Sequence, residues 1–264
     1  MTLHRLAACA ALFIALPVFA QESYTPKPGT PDWAIPGSAT HKQVAPPADF
    51  HRETLTLPEP LNGFTVSEIG APLVRGSSSF ANGTYTVSSA GYNVWYTRDE
   101  FRYLWKPMKG DVSLAADIAF PDPSGYGDRK AVLVIRQELA DDSRQVVVAL
   151  HGAGMIQLAQ RPEKGALTKD REFRVGGRGR PEGKSPDSLV NDIARRIGIE
   201  KRGNKFALFV SLEGEPMTQY GPPLELELEE PFYVGFGFCS HLPDVVDTAT
   251  FANLLLVNKA GKVR

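Results

Sequence analysis

Beyond residue 60 the chain alternates apolar and polar positions with a period of two, in short segments that end in Gly, Asn, Asp or Pro. Alternation of this kind sends successive side chains to opposite faces of a pleated strand and predicts β-structure rather than helix. Strands are expected at about Phe101–Trp105, Val112–Phe120, Lys130–Glu138, Gln145–His151 and Met155–Gln160, then Arg195–Lys201, Phe206–Leu212, Leu224–Glu229, Phe232–Cys239 and Thr248–Val257. Asn82-Gly83, between Ser78-Ser79-Phe80 and Thr84-Tyr85-Thr86-Val87, reads as a two-residue hairpin turn, because both residues tolerate positive φ. Asn82-Gly83-Thr84 also fits a glycosylation sequon, but the turn is reason enough for it. One or two helical turns near Asp187–Ile193 are the only helical pattern. About a dozen strands without crossover helices predict two packed antiparallel sheets.

The first 20 residues follow a different pattern. His4 and Arg5 precede an apolar run from Leu6 to Leu16, and Val18-Phe19-Ala20 supplies small residues before the polar Gln21. This is the layout of a secretory signal peptide, too short and too interrupted by Pro17 for a membrane anchor, and it implies a periplasmic or secreted protein without a transmembrane segment after cleavage. Residues 21–60 are rich in proline and lack periodicity, which predicts an extended linker or a strap, with Trp33 and Phe50 as docking points. The sandwich is expected over 61–258.

Composition narrows the function only a little. The chain has 29 basic and 30 acidic side chains, and loss of the leader removes one Arg and no acid, moving the net charge from -1 to -2. Such a balance gives no field to draw in nucleic acid or an anionic membrane. Cys9 leaves with the leader, so Cys239 has no intramolecular partner, and disulfide-stapled and CxxC zinc classes are excluded.

Strand alternation sorts the chemistry onto faces. In Phe232–Cys239 the aromatic residues share one face and Tyr233, Gly235, Gly237 and Cys239 the other; glycines inside a strand mark a close approach to the backbone, by a ligand or by a bulky neighbour. Arg136 shares a face with Val132 and Val134, where burial demands a partner, either an acid or a ligand. Gln157 and Arg161 lie opposite an apolar stripe. Tyr92, Trp95, Tyr96, Phe101, Tyr103 and Trp105, with Asp99 among them, give aromatic platforms beside polar groups, the combination that sugar rings require, although a plain core would use the same residues.

Catalytic signatures are scarce. No GxSxG, HExxH or phosphate-binding glycine loop occurs. Cys239 and His241 are two apart on a strand, and a lone cysteine usually packs as a small apolar residue. Glu225, Glu227 and Glu229 alternate onto one face, about 7 Å apart in succession, near the spacing of two-carboxylate glycosidases, though a solvated edge explains them equally. Between Arg161 and Lys184 eight basic residues face four acidic ones among several glycines, which reads as a surface loop or as a lid over an anionic ligand.

Several stretches together resemble a bacterial family of concanavalin A-like, laminin-G-like jelly rolls. They are Gly91–Tyr103, Lys109-Gly110-Asp111, Val134-Ile135-Arg136, Asp142-Ser143 and Phe232–Gly235 leading to Cys239-Ser240-His241. Such domains occur in exported proteins beside Tol-type biopolymer transporters and glycoside-processing enzymes, and the resemblance spans about residues 64–257. It implies an all-β, two-sheet antiparallel jelly-roll sandwich whose concave face suits carbohydrate, with the aromatic-Asp segment and the strand arginine on or near that face. Related jelly rolls hold a structural Ca²⁺, for which Asp111, Asp122 or Asp128 are the candidates here; no other cofactor is implied.

The resulting expectation is an exported, non-catalytic module binding a polysaccharide or oligosaccharide. Trp95 and Tyr103 would stack, Asp99, Arg136, Gln157 and Arg161 would bind hydroxyl or acidic groups, and His151 and His241 would line the rim. Two alternatives stay open: a glycoside hydrolase or lyase using a Glu of residues 225–229, and a cell-envelope domain that docks a partner protein.

Overall fold

The computed structural model describes residues 59–70, 72, 74–174, 194–211, 215–242 and 245–263. The expected leader, nearly all of the proline-rich segment, the helical turns at Asp187–Ile193 and the second half of the basic stretch lie outside these residues. Sixteen strands and no helix occur among the described residues, and none of them forms a helix long and apolar enough to cross a membrane.

The strands are β1 (Glu59–Leu61), β2 (Phe64–Ile69), β3 (Ser77–Ala81), β4 (Thr84–Ser89), β5 (Asn93–Trp95), β6 (Arg98–Met108), β7 (Val112–Ala119) and β8 (Lys130–Arg136). The second half of the chain adds β9 (Gln145–His151), β10 (Met155–Arg161), β11 (Lys169–Arg174), β12 (Arg196–Arg202), β13 (Lys205–Ser211), β14 (Thr218–Glu225), β15 (Phe232–Cys239) and β16 (Asp247–Val257). A nine-stranded sheet runs β1-β2-β6-β15-β8-β9-β10-β11, with β5 paired to the start of β6, and a seven-stranded sheet runs β14-β13-β12-β7-β16-β4-β3. Every pairing is antiparallel. The chain is the expected two-sheet antiparallel jelly-roll sandwich.

The main core lies between the sheets and follows the alternation. Leu133 and Ile135 of β8, Val146, Val148 and Leu150 of β9, and Phe232, Val234, Phe236 and Phe238 of β15 meet Leu114, Ile197, Leu208 and Phe251 of the other sheet. Phe236 packs edge-on against Phe64 and Tyr85 at 5.2 and 5.1 Å between ring centroids and lies 4.8 Å from Phe251. Aromatic pairs at these separations add stabilisation beyond area burial. Asn82 and Gly83 take φ of 51° and 78° in the β3–β4 turn, as the Asn-Gly signal required.

Several strands differ from expectation: β6 runs from Arg98 to Met108 rather than over Phe101–Trp105, and β1, β2 and β5 are additional. The stretch Leu224–Glu229 is a strand only to Glu225, because its partner β13 begins at Lys205, whose pairing with Glu225 ends the ladder. Upstream, β14 extends back to Thr218 through Pro222 and Pro223, which an edge strand tolerates because its free side needs no N–H donors. Lys169–Arg174, expected as open loop, forms edge strand β11 against β10. Its charge hides a period of two: Phe173 packs against the core while Asp170 and Glu172 share the opposite face with Gln157.

Candidate functional site: the outer face of the nine-stranded sheet

Facing away from the main core, the nine-stranded sheet presents Ile69, Phe101, Tyr103, Val132, Val134, Val147, Ala149 and Cys239, which together with Val94 form a second buried apolar cluster. Val94 belongs to β5, so the β5–β6 hairpin folds over this face and fills its centre. The glycines of β15 follow from the same crowding. A Cβ on Gly237 would meet the carbonyl of Arg102 and the Phe101 ring, and one on Gly235 the carbonyl of Leu104. The close approach implied by these glycines is therefore that of β6 and its aromatic side chains. Tyr103 is fully buried, donating from its hydroxyl to the carbonyls of Val134 and Tyr233 at 3.1 and 3.3 Å, which leaves no ring face for a sugar.

The hairpin is pinned by a buried ionic cluster. Arg161 Nη1 and Nη2 donate to Asp99 Oδ2 and Oδ1 at 2.9 and 2.8 Å, and Arg136 Nη2 reaches the same Oδ2 at 3.4 Å. All three side chains are 0 % exposed. Two guanidiniums on one carboxylate leave excess positive charge, and backbone carbonyls absorb it. Arg161 donates to Trp95, Tyr96, Asp141 and Ser143, and Arg136 to Glu138 and Ala140. Arg98, at the start of β6, adds a pair in which its Nη1 donates to both carboxylate oxygens of Asp141, at 3.0 and 3.1 Å. Burial pushes the Asp141 carboxyl up, against the pull of Arg98. Asp99, Arg136 and Arg161, expected to bind ligand, are thus engaged within the protein. The reason is the one that placed them on this face: a buried arginine must find an acid, and here the hairpin supplies it.

The opposite end of the face is polar and partly open. Lys130, His151 and Gln157 lie on neighbouring strands β8, β9 and β10. Gln157 Nε2 donates to Asp170 Oδ2 and Glu172 Oε1, both at 3.3 Å, so its Oε1 accepts from His151 Nε2 at 2.9 Å. This arrangement places the imidazole proton on Nε2 and leaves a lone pair on Nδ1. That nitrogen has no hydrogen-bond partner among the described residues, and Asp128 Oδ1 lies 3.9 Å away. Burial, aided by the charge of Lys130, holds His151 below its ordinary pKa and keeps it neutral.

Lys130 Nζ donates to Asn93 Oδ1 at 2.7 Å and to His241 Nδ1 at 3.2 Å, and burial lowers its pKa. His241 is sandwiched between the rings of Tyr92 and Tyr126, at 6.2 and 5.5 Å and nearly parallel to both. It is therefore a buried wall rather than a rim. Trp95, Tyr96 and Tyr126 are half-buried, whereas Asp128, Asp170 and Glu172 are exposed. The Tyr96 hydroxyl is pushed up to about 12, by burial and by the nearby Asp128 charge. Burial, with Glu172 alongside, also raises the Asp170 carboxyl.

Of the residues expected to bind ligand, the structure gathers Asp99, Arg136 and Arg161 with the Trp95 carbonyl into one cluster, and His151 with Gln157 into another. Sequence reasoning missed Tyr96, Tyr126, Asp128, Lys130, Asp170 and Glu172 as members of the second. The usable signal was the alternation of Asp170 and Glu172 with Arg171 and Phe173, in register with Gln157. Glu225, Glu227 and Glu229 do not share this face. Leu224, Leu226 and Leu228 between them are in the main core, so the glutamates point away from it; Glu225 closes β14 on the other sheet, 3.7 Å from Lys205, while the backbones of Glu227 and Glu229, beyond the strand, bond to Arg144 and Gln137. Cys239 is buried and its thiol is pushed up to about 11 by burial, which suits packing rather than nucleophilic chemistry.

The calcium candidates do not converge. Asp111 accepts from the Gly203 amide, Asp122 caps Ser124, and Asp128 lies beside His151. No group of three or more His, Cys, Asp or Glu among the described residues is arranged to hold a metal ion. Away from this face, a cleft of about 940 Å³ runs over the outer surface of the seven-stranded sheet beside Met217, Leu255 and Val263. Its Arg196 and Asp117 are paired with each other at 2.7 Å.

No family model and no curated protein matches the chain. Among solved structures it is similar to a functionally unknown protein from Saccharomyces cerevisiae, at 12% identity and a TM-score of 0.51 over 74% of this chain and 97% of that one. A β-glucanase of Bacillus licheniformis gives 9% identity and 0.47 over 76% and 94%. The carbohydrate-binding module CBM66 of Bacillus subtilis gives 12% identity and 0.41 over 72% and 94%. At these identities the likeness concerns the fold alone, and the fold is the two-sheet jelly-roll sandwich.

Proposed function

We propose that this protein is an exported, non-catalytic sandwich that binds a glycan on the open polar end of its nine-stranded sheet. The observation that carries the reading is the Gln157 fork. One amide, held from below by His151, presents two exposed carboxylates side by side, while the buried His151 Nδ1 next to it has no closer hydrogen-bond partner among the described residues than Asp128 Oδ1 at 3.9 Å. Carboxylates and a neutral imidazole nitrogen accept hydrogen bonds from ring hydroxyls, and half-buried aromatic rings such as Trp95, Tyr96 and Tyr126 offer apolar faces to sugar C–H groups. The centre of the face is filled by the protein's own hairpin, so the ligand occupies the surface beside it, where Asp128, Asp170 and Glu172 are exposed and Tyr96 is half-buried, with Gln157 buried beneath them.

Affinity electrophoresis of the purified protein through gels carrying neutral, acidic and basic polysaccharides, with and without calcium, tests this reading. Retardation by at least one polymer is expected, whether or not calcium is present. Migration unaffected by every polymer would overturn it.

A further inference from the structure

We infer that the glycan is an amino sugar polymer, recognised through a free ammonium group; this rests on the proposed glycan site and names its substrate class. Three carboxylates, Asp128, Asp170 and Glu172, flank one neutral histidine. The cation on the same floor, Lys130, is buried, donates to Asn93 and His241, and feels the charge of Asp128, which leaves Asp170 and Glu172 as the exposed acid pair. Arg171, between the two acids of β11, points to the other side of its strand and donates to the Pro222 carbonyl at 2.7 Å.

The spacing fits a single ammonium. Asp170 Oδ2 and Glu172 Oε1 both lie 3.3 Å from Gln157 Nε2, so the two carboxylates are close enough for one nitrogen to donate to both. An amide –NH₂ already stands between them, which shows that nitrogen donors satisfy this pair. The charge of Glu172 acting on Asp170 favours a positive ligand over a neutral one. The unpartnered His151 Nδ1, with Asp128 beyond it, accepts a hydroxyl of the same or the next sugar ring. A uronic acid polymer would bring like charges together and is disfavoured.

The test is calorimetric titration of the full chain with hexamers of glucosamine, N-acetylglucosamine, glucose and galacturonate, and with spermidine as a cation lacking sugar rings. The glucosamine hexamer is expected to bind at least about tenfold more tightly than the N-acetylated one, the scale of a lost charge-assisted hydrogen bond, and to weaken with added salt. In the double variant Asp170→Asn, Glu172→Gln that preference should vanish, and because both side chains are exposed on an edge strand the thermal midpoint should hold. Equal or tighter binding of a neutral or acidic hexamer would overturn the amino sugar while leaving a glycan site in place. Spermidine binding as tightly as the glucosamine hexamer would overturn the sugar part, and binding of no hexamer would remove both readings.

Discussion

Arg161 and Asp99, 62 positions apart in the chain, meet two oxygens to two nitrogens in a fully buried pair that fixes the β5–β6 hairpin to the sheet beneath it. This pair divides the outer face of the nine-stranded sheet into a filled centre and an open end. It also converts residues that look like a ligand site in sequence into a structural clamp.

Removal of the shared acid tests the clamp. Asp99→Ala leaves two buried guanidiniums without their carboxylate, and loss of one partner from a buried pair costs about 3–5 kcal/mol. Urea denaturation followed by tryptophan fluorescence should show a loss of this size. A loss below about 1 kcal/mol, typical of a solvent-exposed pair, would mean that the cluster is not buried as described.

Gly237 and Gly83 separate two reasons for glycine. Gly237→Ala drives a methyl into the Arg102 carbonyl and the Phe101 ring and should cost about 1–3 kcal/mol, the range for overpacking. At Gly83 nothing lies within 4 Å of the added carbon, and only the φ of 78° opposes it, so Gly83→Ala should cost about 1 kcal/mol. Calorimetric melting of both variants checks the order, which a reversed ranking would contradict.

The pH dependence of stability should carry the signature of His151. Its folded pKa is depressed by burial, so the unfolded chain takes up a proton near the ordinary value of 6.5 while the folded protein refuses it. Its contribution is therefore complete above pH 6.5 and falls away as the pH drops from there toward the folded value. Asp141 and Asp170, with raised pKa values, act in the opposite sense in the window above 3.8. The difference between the protein and His151→Asn cancels those carboxylates, and across denaturation at several pH values it should retain an acid-dependent loss below 6.5. No difference in slope would show that His151 titrates freely.

Period-two alternation made the sandwich and most of its strands legible, because each strand has one buried face. Reading failed where that contrast was weak. Lys169–Arg174 conceals Phe173 among charges, and Thr218–Pro223 uses prolines on a free edge. The site was legible as a set of residue types but not as an arrangement. Alternation places Arg136 and Asp99 on suitable faces, yet it cannot tell that a hairpin bends back to join them. The polar end depends on Asp128 in a loop and on a strand that was not foreseen, so Gln157 and His151 were named without the carboxylates that give them meaning.

The most direct measurement is gel retardation of Gln157→Leu beside the unaltered protein and Lys262→Ala, a change at the cleft on the opposite sheet. Leucine matches the volume of glutamine but breaks the fork, so retardation by the bound glycan should disappear for Gln157→Leu while Lys262→Ala migrates like the unaltered protein. Equal retardation of all three, with Gln157→Leu folded by circular dichroism, would contradict a glycan site at this end of the sheet.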